Sequence, residues 1–232
     1  MSVALINSED PSYLEWIKRS VLFDQKTKLG EKDPFAADLQ EAQSALEDAT
    51  LKLLRSKVGL EIDKVLRVER ENPHPDFGPY IFYELDGLFR AKGKPMVFCE
   101  IKHSISRPQS LKAARKQLRK RLMEGKKFCN ESFGIAVCFQ LSSIEDRPTG
   151  LNHISFDELI TLFHQRQPPE EIISVSVQDT TLIKALEAGG FEGERLMSDL
   201  SKAKQLLDDP TLVVTNGDDD FSNSLGDAFN QL

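Results

Sequence analysis

Runs of apolar residues predict most of the β-strands of this chain. Two runs, 83–89 and 96–102, flank a Lys-Gly-Lys-Pro turn and are expected to form a β-hairpin. The run 133–141 is nearly continuously apolar, which is typical of a strand buried on both faces. Three shorter runs predict further strands: 62–68, 152–155 and 171–177.

Apolar residues at helical spacing predict helices between these strands. Asp10-Pro11 and Asp33-Pro34 are helix start signals, the first for a short helix through Ile17 and the second for a long helix that ends near Gly59. Ser155 begins a capping box ahead of a further helix. Three more helices are predicted at 108–123, 180–188 and 195–207, and loops at 24–32 and 72–79.

The predicted hairpin carries charged residues that suggest chemistry. Side chains alternate across a strand, so Glu84 and Asp86 share one face, as do Glu100 and Lys102. Closing the hairpin gathers these groups at one end of a sheet. Carboxylate oxygens are ligands that Mg²⁺ prefers, and a nearby lysine can orient or deprotonate an attacking water. The pattern therefore predicts a site that hydrolyses phosphodiesters.

Asp86 and the triplet Glu100-Ile101-Lys102 resemble the motif of the PD-(D/E)XK nuclease superfamily. The resemblance implies an α/β, restriction-endonuclease-like fold with an αβββαβ core, in which helices flank a central mixed β-sheet. It extends over about 33–167, where the predicted elements follow that order. It also implies that Asp86, Glu100 and the Ile101 carbonyl bind Mg²⁺, with Mn²⁺ as a substitute. DNA is implied as the substrate ahead of RNA.

Three further assignments follow from the resemblance and have rivals. Asp76, after Pro75, competes with Asp86 but lies in a loop, whereas Asp86 is expected within a strand that holds a ligand more firmly. Glu47 matches the family's helix glutamate, and Glu41 competes with it. Gln117 matches the family's catalytic-site glutamine, and an ordinary surface glutamine is the alternative.

The segment after the triplet is strongly basic. A charged helix face is commonly only solvated, but this one follows the predicted metal strand, where a phosphate backbone would lie. Phosphate neutralisation by these side chains would give salt-dependent binding that does not depend on sequence. Six residues are predicted to bind nucleic acid: Lys112, Arg115, Lys116, Arg119, Lys120 and Lys126.

Composition is that of an ordinary globular protein, with 232 residues, 40% hydrophobic residues and a net charge of −7. No long apolar run and no secretory signal are present, so a cytoplasmic protein without a membrane partner is expected. The three cysteines form no CxxC pair, which argues against a zinc site or a disulfide framework. Histidine metal motifs, phosphate-binding glycine loops and serine nucleophile elbows are also absent.

Four regions are predicted along the chain: an N-terminal helical extension (1–32), the nuclease-like domain (33–167), a C-terminal extension (168–207) and an acidic, flexible tail (208–232). The predicted function is a metal-dependent nuclease. The alternative is a catalytically inactive protein of the same fold that binds nucleic acid or a protein partner. Homodimerisation and a protein partner on the C-terminal extension both stay open.

Overall fold

A computed structural model describes residues 2–27, 47–75, 78–104, 107–127, 129–140 and 152–178. Several predicted features lie outside these residues. They are Glu41, Asp76, the start of the long helix at Asp33-Pro34, the helices at 180–188 and 195–207, and the acidic tail.

Eight strands and four helices make up the described part of the chain. The strands are β1 (Val3–Ile6), β2 (Lys64–His74), β3 (Gly78–Leu85), β4 (Gly87–Phe89), β5 (Met96–Ser104), β6 (Ser132–Gln140), β7 (Asn152–Ile154) and β8 (Ile172–Gln178). The helices are α1 (Pro11–Thr27), α2 (described over 47–58), α3 (Arg107–Gly125) and α4 (Phe156–Leu162).

The strands form two sheets. A three-stranded antiparallel sheet has the order β1-β2-β3. A five-stranded mixed sheet has the order β4-β5-β6-β8-β7, in which β4 is antiparallel to β5 and the other neighbours are parallel. Helix α3 makes the crossover from β5 to the parallel strand β6. The chain is therefore an α/β protein, as predicted.

Successive side chains of the five-stranded sheet point to opposite faces, and helices cover both faces. On one face Ile101 and Phe139 pack with Leu53 of α2 and Phe163 beyond α4. The other face packs against the apolar stripe of α3. The buried residues that meet there include Phe98, Ala136, Leu111, Ala114, Leu118 and Leu122. The side of β5 that bears Glu100 and Lys102 is thus the side that α3 covers.

Four sequence predictions are confirmed. The inner part of the hairpin forms, with Gly87 opposite Cys99 and Phe89 opposite Val97, whereas residues 83–85 pair with β2 instead. Helix α3 and strand β6 occupy the predicted segments. The capping box at Ser155 and Glu158 begins α4.

Other predictions were wrong. Helix α1 continues to Thr27, because the chain has no glycine or proline between Ser12 and Leu29 to end it, so the predicted loop at 24–32 begins too early. Strands β2 and β3 extend into the predicted loop at 72–79. The pairing of β2 and β3 shifts register between Glu69 and His74, an irregularity that accommodates Pro73 within the strand.

The sheets also cross two of the predicted domain boundaries. Strand β1 pairs with β2, so part of the segment 1–32 belongs to a sheet rather than to a separate helical extension. Strand β8 lies between β6 and β7 inside the five-stranded sheet. A boundary between residues 167 and 168 would separate β8 from the strands to which it is hydrogen-bonded.

The contact of α3 with β5 provides a test of the fold. A Cβ atom placed on Gly125 would overlap the buried ring of Phe98. Glycine to alanine in a helix normally stabilises, by about 0.5–1 kcal/mol. Here we expect Gly125→Ala to lower the free energy of unfolding instead, by about 1–3 kcal/mol, because the core becomes overpacked. Urea unfolding would measure this. Met123→Ala on the exposed side of α3 is the control and should change stability by less than about 0.5 kcal/mol; a stabilised Gly125→Ala variant would contradict the packing.

Candidate functional site

Glu100 is a buried carboxylate that two cations hold. It lies on β5 with its side chain 1% exposed, under α3. Lys102 Nζ lies 3.0 Å from Glu100 Oε1, and Arg121 Nη1 of α3 donates to Glu100 Oε2 at 2.5 Å. Burial and then the charge of Asp86 raise the pKa of Glu100, while Arg121 and Lys102 act to lower it. A carboxylate at this position needs both cations to stay ionised.

Asp86 lies at the bend between β3 and β4 rather than within one strand, which corrects the sequence prediction. Its Oδ2 accepts a hydrogen bond from the backbone N–H of Ile101 at 2.7 Å. The pairing of β4 with β5 ends at Gly87 and Cys99, so this side chain takes the place of a further strand residue opposite Ile101. The bend therefore fixes Asp86 against the Glu100-Ile101-Lys102 triplet.

The Ile101 carbonyl faces the same gap. The N–H and C=O groups of one residue point to the same edge of an extended strand. Because the Ile101 N–H is bonded to Asp86, its carbonyl also points towards the Asp86 side of β5. Both backbone groups of Ile101 thus lie at the edge where Asp86 stands.

Glu47 belongs to the same electrostatic cluster. It lies on α2, and its pKa is raised to about 7, first by burial and then by Asp86. The charges of Glu100 and Glu84 raise this pKa further, and Lys102 opposes them. The charges of Asp86, Glu100 and Lys102 affect the pKa of Glu47 only when these groups are near it. Helix α2 therefore brings Glu47 close to the site.

His103 anchors α2 beside the site. It lies on the opposite face of β5 from Lys102, stacked on the ring of Phe139, and its Nε2 is 3.2 Å from Thr50 Oγ1. Burial and the charge of Lys102 lower the pKa of His103 to about 3, so the ring is neutral at physiological pH. Thr50 is one helical turn from Glu47. The His103 contact therefore helps to set the position of Glu47.

Lys102 is held in its charged form. Burial acts to lower its pKa, but Glu100 and Asp86 outweigh burial and raise the pKa overall. Glu84 lies near the end of β3, and partial loss of hydration, followed by the charge of Asp86, raises its pKa. Its backbone carbonyl accepts a hydrogen bond from Arg121 Nε at 2.5 Å.

The donor chemistry of the cluster fits a divalent cation such as Mg²⁺. Within the described ranges, no group of three or more His, Cys, Asp or Glu side chains is arranged to hold a metal ion. Magnesium, however, commonly uses only one or two carboxylates together with substrate phosphates. Glu100 Oε1 is buried and is paired with Lys102, so a bound cation would share this oxygen with the lysine. Asp86 and Glu100 would supply the carboxylate oxygens.

The basic residues of α3, together with the adjoining Lys126, differ in their partners and exposure. Arg115 donates to Ser174 Oγ and lies 3.9 Å from Glu170, and Lys126 pairs with Glu171. Their charges are therefore partly used within the protein. Three others lie along the exposed side of α3, away from the sheet: Lys112, Lys116 and Arg119. Lys120 is half-buried.

Arg121 was not predicted as a site residue. It stands within a run of basic residues, and only the folded structure distinguishes the one that turns towards Glu100. Its spacing from the apolar residues Leu118 and Leu122 was the available signal, because it borders the buried stripe. Gln117 lies one turn before Arg121 on the same side of α3, and its role at the site stays a prediction.

Comparisons with protein-family models, with curated proteins and with solved structures gave no match. The resemblance to the PD-(D/E)XK superfamily thus stays a prediction from the motif. None of the described helices is long and apolar enough to cross a membrane.

Glu47 makes the stability of the folded protein depend on pH. Its pKa is raised to about 7 in the folded protein from an ordinary value of 4.5, so the folded state binds the proton more tightly. Its favourable contribution is complete below pH 4.5 and is lost as the pH rises through about 7. In the presence of a chelator, Glu47→Gln should therefore stabilise the protein at pH 8 by about 1–3 kcal/mol relative to its effect at pH 4.5.

Urea unfolding of both proteins at several pH values would measure the difference. Asp48→Asn is the control, because Asp48 is the exposed neighbour of Glu47 on α2 and pairs with Lys52 at the surface. It should show little pH-dependent change in stability. A Glu47→Gln variant with the same stability difference at every pH would place Glu47 away from the other carboxylates.

Proposed function

We propose that this protein is a metal-dependent nuclease that hydrolyses phosphodiester bonds, more specifically those of DNA. The observation that carries the proposal is the convergence of Glu47, Asp86, Glu100 and Lys102 where β3, β4 and β5 meet. These residues come from three separate segments of the chain. Placing the buried Glu100 beside the half-buried Glu47 and Asp86 is costly, and catalysis is a function that explains such a cost.

Each residue has a distinct role in this proposal. Asp86, Glu100 and the Ile101 carbonyl would hold Mg²⁺ or Mn²⁺, which supplies a Lewis acid for the phosphoryl oxygens. Lys102 stays protonated, so it orients the attacking water and offsets charge in the transition state rather than removing a proton. Glu47, with a pKa of about 7, is the group suited to accept the proton of the water. Attack breaks one P–O bond and releases an alcohol and a phosphomonoester.

The exposed side of α3 is proposed to contact the nucleic acid. Lys112, Lys116 and Arg119 are solvent-facing on the helix that also covers Glu100. Cations on an exposed helix face can neutralise phosphates without reading bases. Arg115 and Lys126 are less suited, because Glu170 and Glu171 share their charge.

A structural ion network is the rival explanation. The contact between Arg121 and Glu100 favours it, because a buried carboxylate with two cationic partners needs no metal to be stable. This protein would then be the catalytically inactive alternative. The two explanations differ in the expected effect of removing the charge of Asp86, which is not hydrogen-bonded to Arg121 in the described structure. A metal site would lose cleavage activity, whereas a structural network has no such activity to lose.

Asp86→Asn is the sharpest test of catalysis. Asparagine keeps an oxygen that can accept from the Ile101 N–H, so the bend is preserved while the charge is removed. Cleavage of labelled DNA in Mg²⁺ or Mn²⁺ should fall by about 100-fold or more, since a metal ligand is lost. Glu100→Ala is a poorer test, because it leaves Arg121 buried without its carboxylate and would destabilise the fold by about 3–5 kcal/mol.

Lys52→Gln on the exposed side of α2 is the matched control and should cleave like the unaltered protein. Thermal unfolding should confirm that Asp86→Asn is folded. Chelation with EDTA should stop cleavage in every variant that shows it. Equal cleavage by Asp86→Asn and the unaltered protein would rule out this site, and no cleavage of any single-stranded, duplex or branched DNA or RNA would favour the structural network.

Neutralising the exposed residues of α3 should weaken nucleic-acid binding. The triple variant Lys112→Gln, Lys116→Gln and Arg119→Gln should lower affinity and reduce the slope of log K against log salt by about 2–3, since each phosphate contact contributes roughly 0.9. Fluorescence anisotropy with duplex DNA would measure both quantities.

The control is a triple variant that removes three exposed basic residues from other helices: Lys18, Arg55 and Lys57. It changes net charge by the same amount, so it separates local contacts from overall charge. If both triple variants lose the same affinity and slope, α3 is not the contact surface.

A further inference from the structure

Arg121 connects the two segments that bear the proposed metal ligands. Its Nη1 holds Glu100 Oε2, and its Nε holds the backbone carbonyl of Glu84, two residues before Asp86. One guanidinium thus bonds both the end of β3 and the side chain on β5. The rigid, planar fork of arginine suits such a two-point contact, which an ammonium cannot reproduce with the same geometry.

The contact also divides the two oxygens of Glu100 between partners. Oε2 is taken by Arg121, whereas Oε1 is buried and lies 3.0 Å from Lys102, so a cation would share Oε1 with Lys102. A carboxylate that is held by one oxygen cannot rotate freely. Its other oxygen is then presented in a defined direction, as partners of metal-binding carboxylates commonly achieve.

The ion pair between Arg121 and Glu100 is buried rather than at the surface. Its side chain is 14% exposed and that of Glu100 is 1% exposed. Burial acts to lower the pKa of Arg121, but Glu100, Asp86 and Glu84 outweigh it and raise the pKa overall. The arginine therefore stays charged, and its position is set by the packing of α3 on the sheet through Leu118 and Leu122.

We propose that Arg121 is a positioning residue that sets the geometry of Asp86 and Glu100 and thereby the affinity of the site for a divalent cation. This inference rests on the proposed metal-dependent function. It assigns to Arg121 no contact with the substrate. The helix that carries the exposed basic residues would then also hold the metal ligands in register.

Mn²⁺ binding to the full chain tests the inference without an activity measurement. Free Mn²⁺ is counted by electron paramagnetic resonance in titrations of the unaltered protein and the variants Arg121→Lys, Arg121→Gln, Asp86→Asn and Arg55→Gln. Arg121→Lys keeps a charge near Glu100 but cannot hold Glu84 in the same way, so we expect Mn²⁺ affinity to fall by about 10- to 100-fold. Arg55→Gln on the exposed side of α2 is the control and should bind like the unaltered protein.

Thermal unfolding in a chelator separates positioning from stability. If Arg121→Lys melts at a lower temperature, the titration is performed well below that temperature, and Arg121→Gln gives a second measurement. A folded Arg121→Lys variant with unaltered Mn²⁺ affinity would show that Arg121 only stabilises the fold. In that case a loss of affinity in Asp86→Asn would leave the proposed function standing, whereas the absence of Mn²⁺ binding in the unaltered protein would remove both.

Discussion

The ion pair of Glu100 with Arg121 and Lys102 is the interaction on which this structure depends most. A carboxylate that is 1% exposed would be strongly destabilising without its cations. Arg121 reaches it only because α3 lies across β5, and Lys102 reaches it because the two residues share one face of the strand. Helix α3 thus carries the arginine that keeps Glu100 ionised, and the same arginine binds the end of β3.

The bend at Asp86 is the second constraint, since it divides a single apolar run between two sheets. Before the bend, β3 pairs with β2, and after it β4 pairs with β5. After the bend, the backbone at Gly87 passes close to the buried side chain of Leu60, which is 1% exposed. A Cβ atom on residue 87 would overlap Leu60, so glycine is needed there. Asp86 then satisfies the Ile101 N–H that a longer β4 would have bonded. The residue predicted to bind metal is thus also the residue that ends the strand pairing.

Local patterns predicted the parts of the fold that depend on local chemistry. The hairpin of β4 and β5, the α3 stripe and the Ser155 capping box each involve residues near one another in the chain. The bend at Asp86 was not predictable, because the apolar run continues through it without a change of period. The short strand β1 was missed for a related reason, since its four residues form a sheet only by pairing with β2.

Site residues were predictable to the extent that they lie on strands with a fixed alternation. Glu100 and Lys102 share a face by their spacing alone, and the register of β4 brings Asp86 near them. Arg121 and the environment of Glu47 depend on how helices pack on the sheet, for which sequence periodicity gives only a face and not a partner. The role of Arg121 as a counterion was therefore visible only in the folded structure.

The net charge of −7 does not conflict with a nucleic-acid substrate, because the basic residues of α3 lie on two different sides of the helix. Arg121, which borders its sheet-facing side, is matched by Glu100, and Lys126, directly after its last residue, is matched by Glu171. Lys112, Lys116 and Arg119 are exposed on the other side of the helix, and such charges act over a Debye length, about 8 Å at physiological salt. Within that range a local row of cations matters more to a phosphate than the sum over the whole chain. The same helix can then stabilise a buried carboxylate on one side and attract a phosphate on the other.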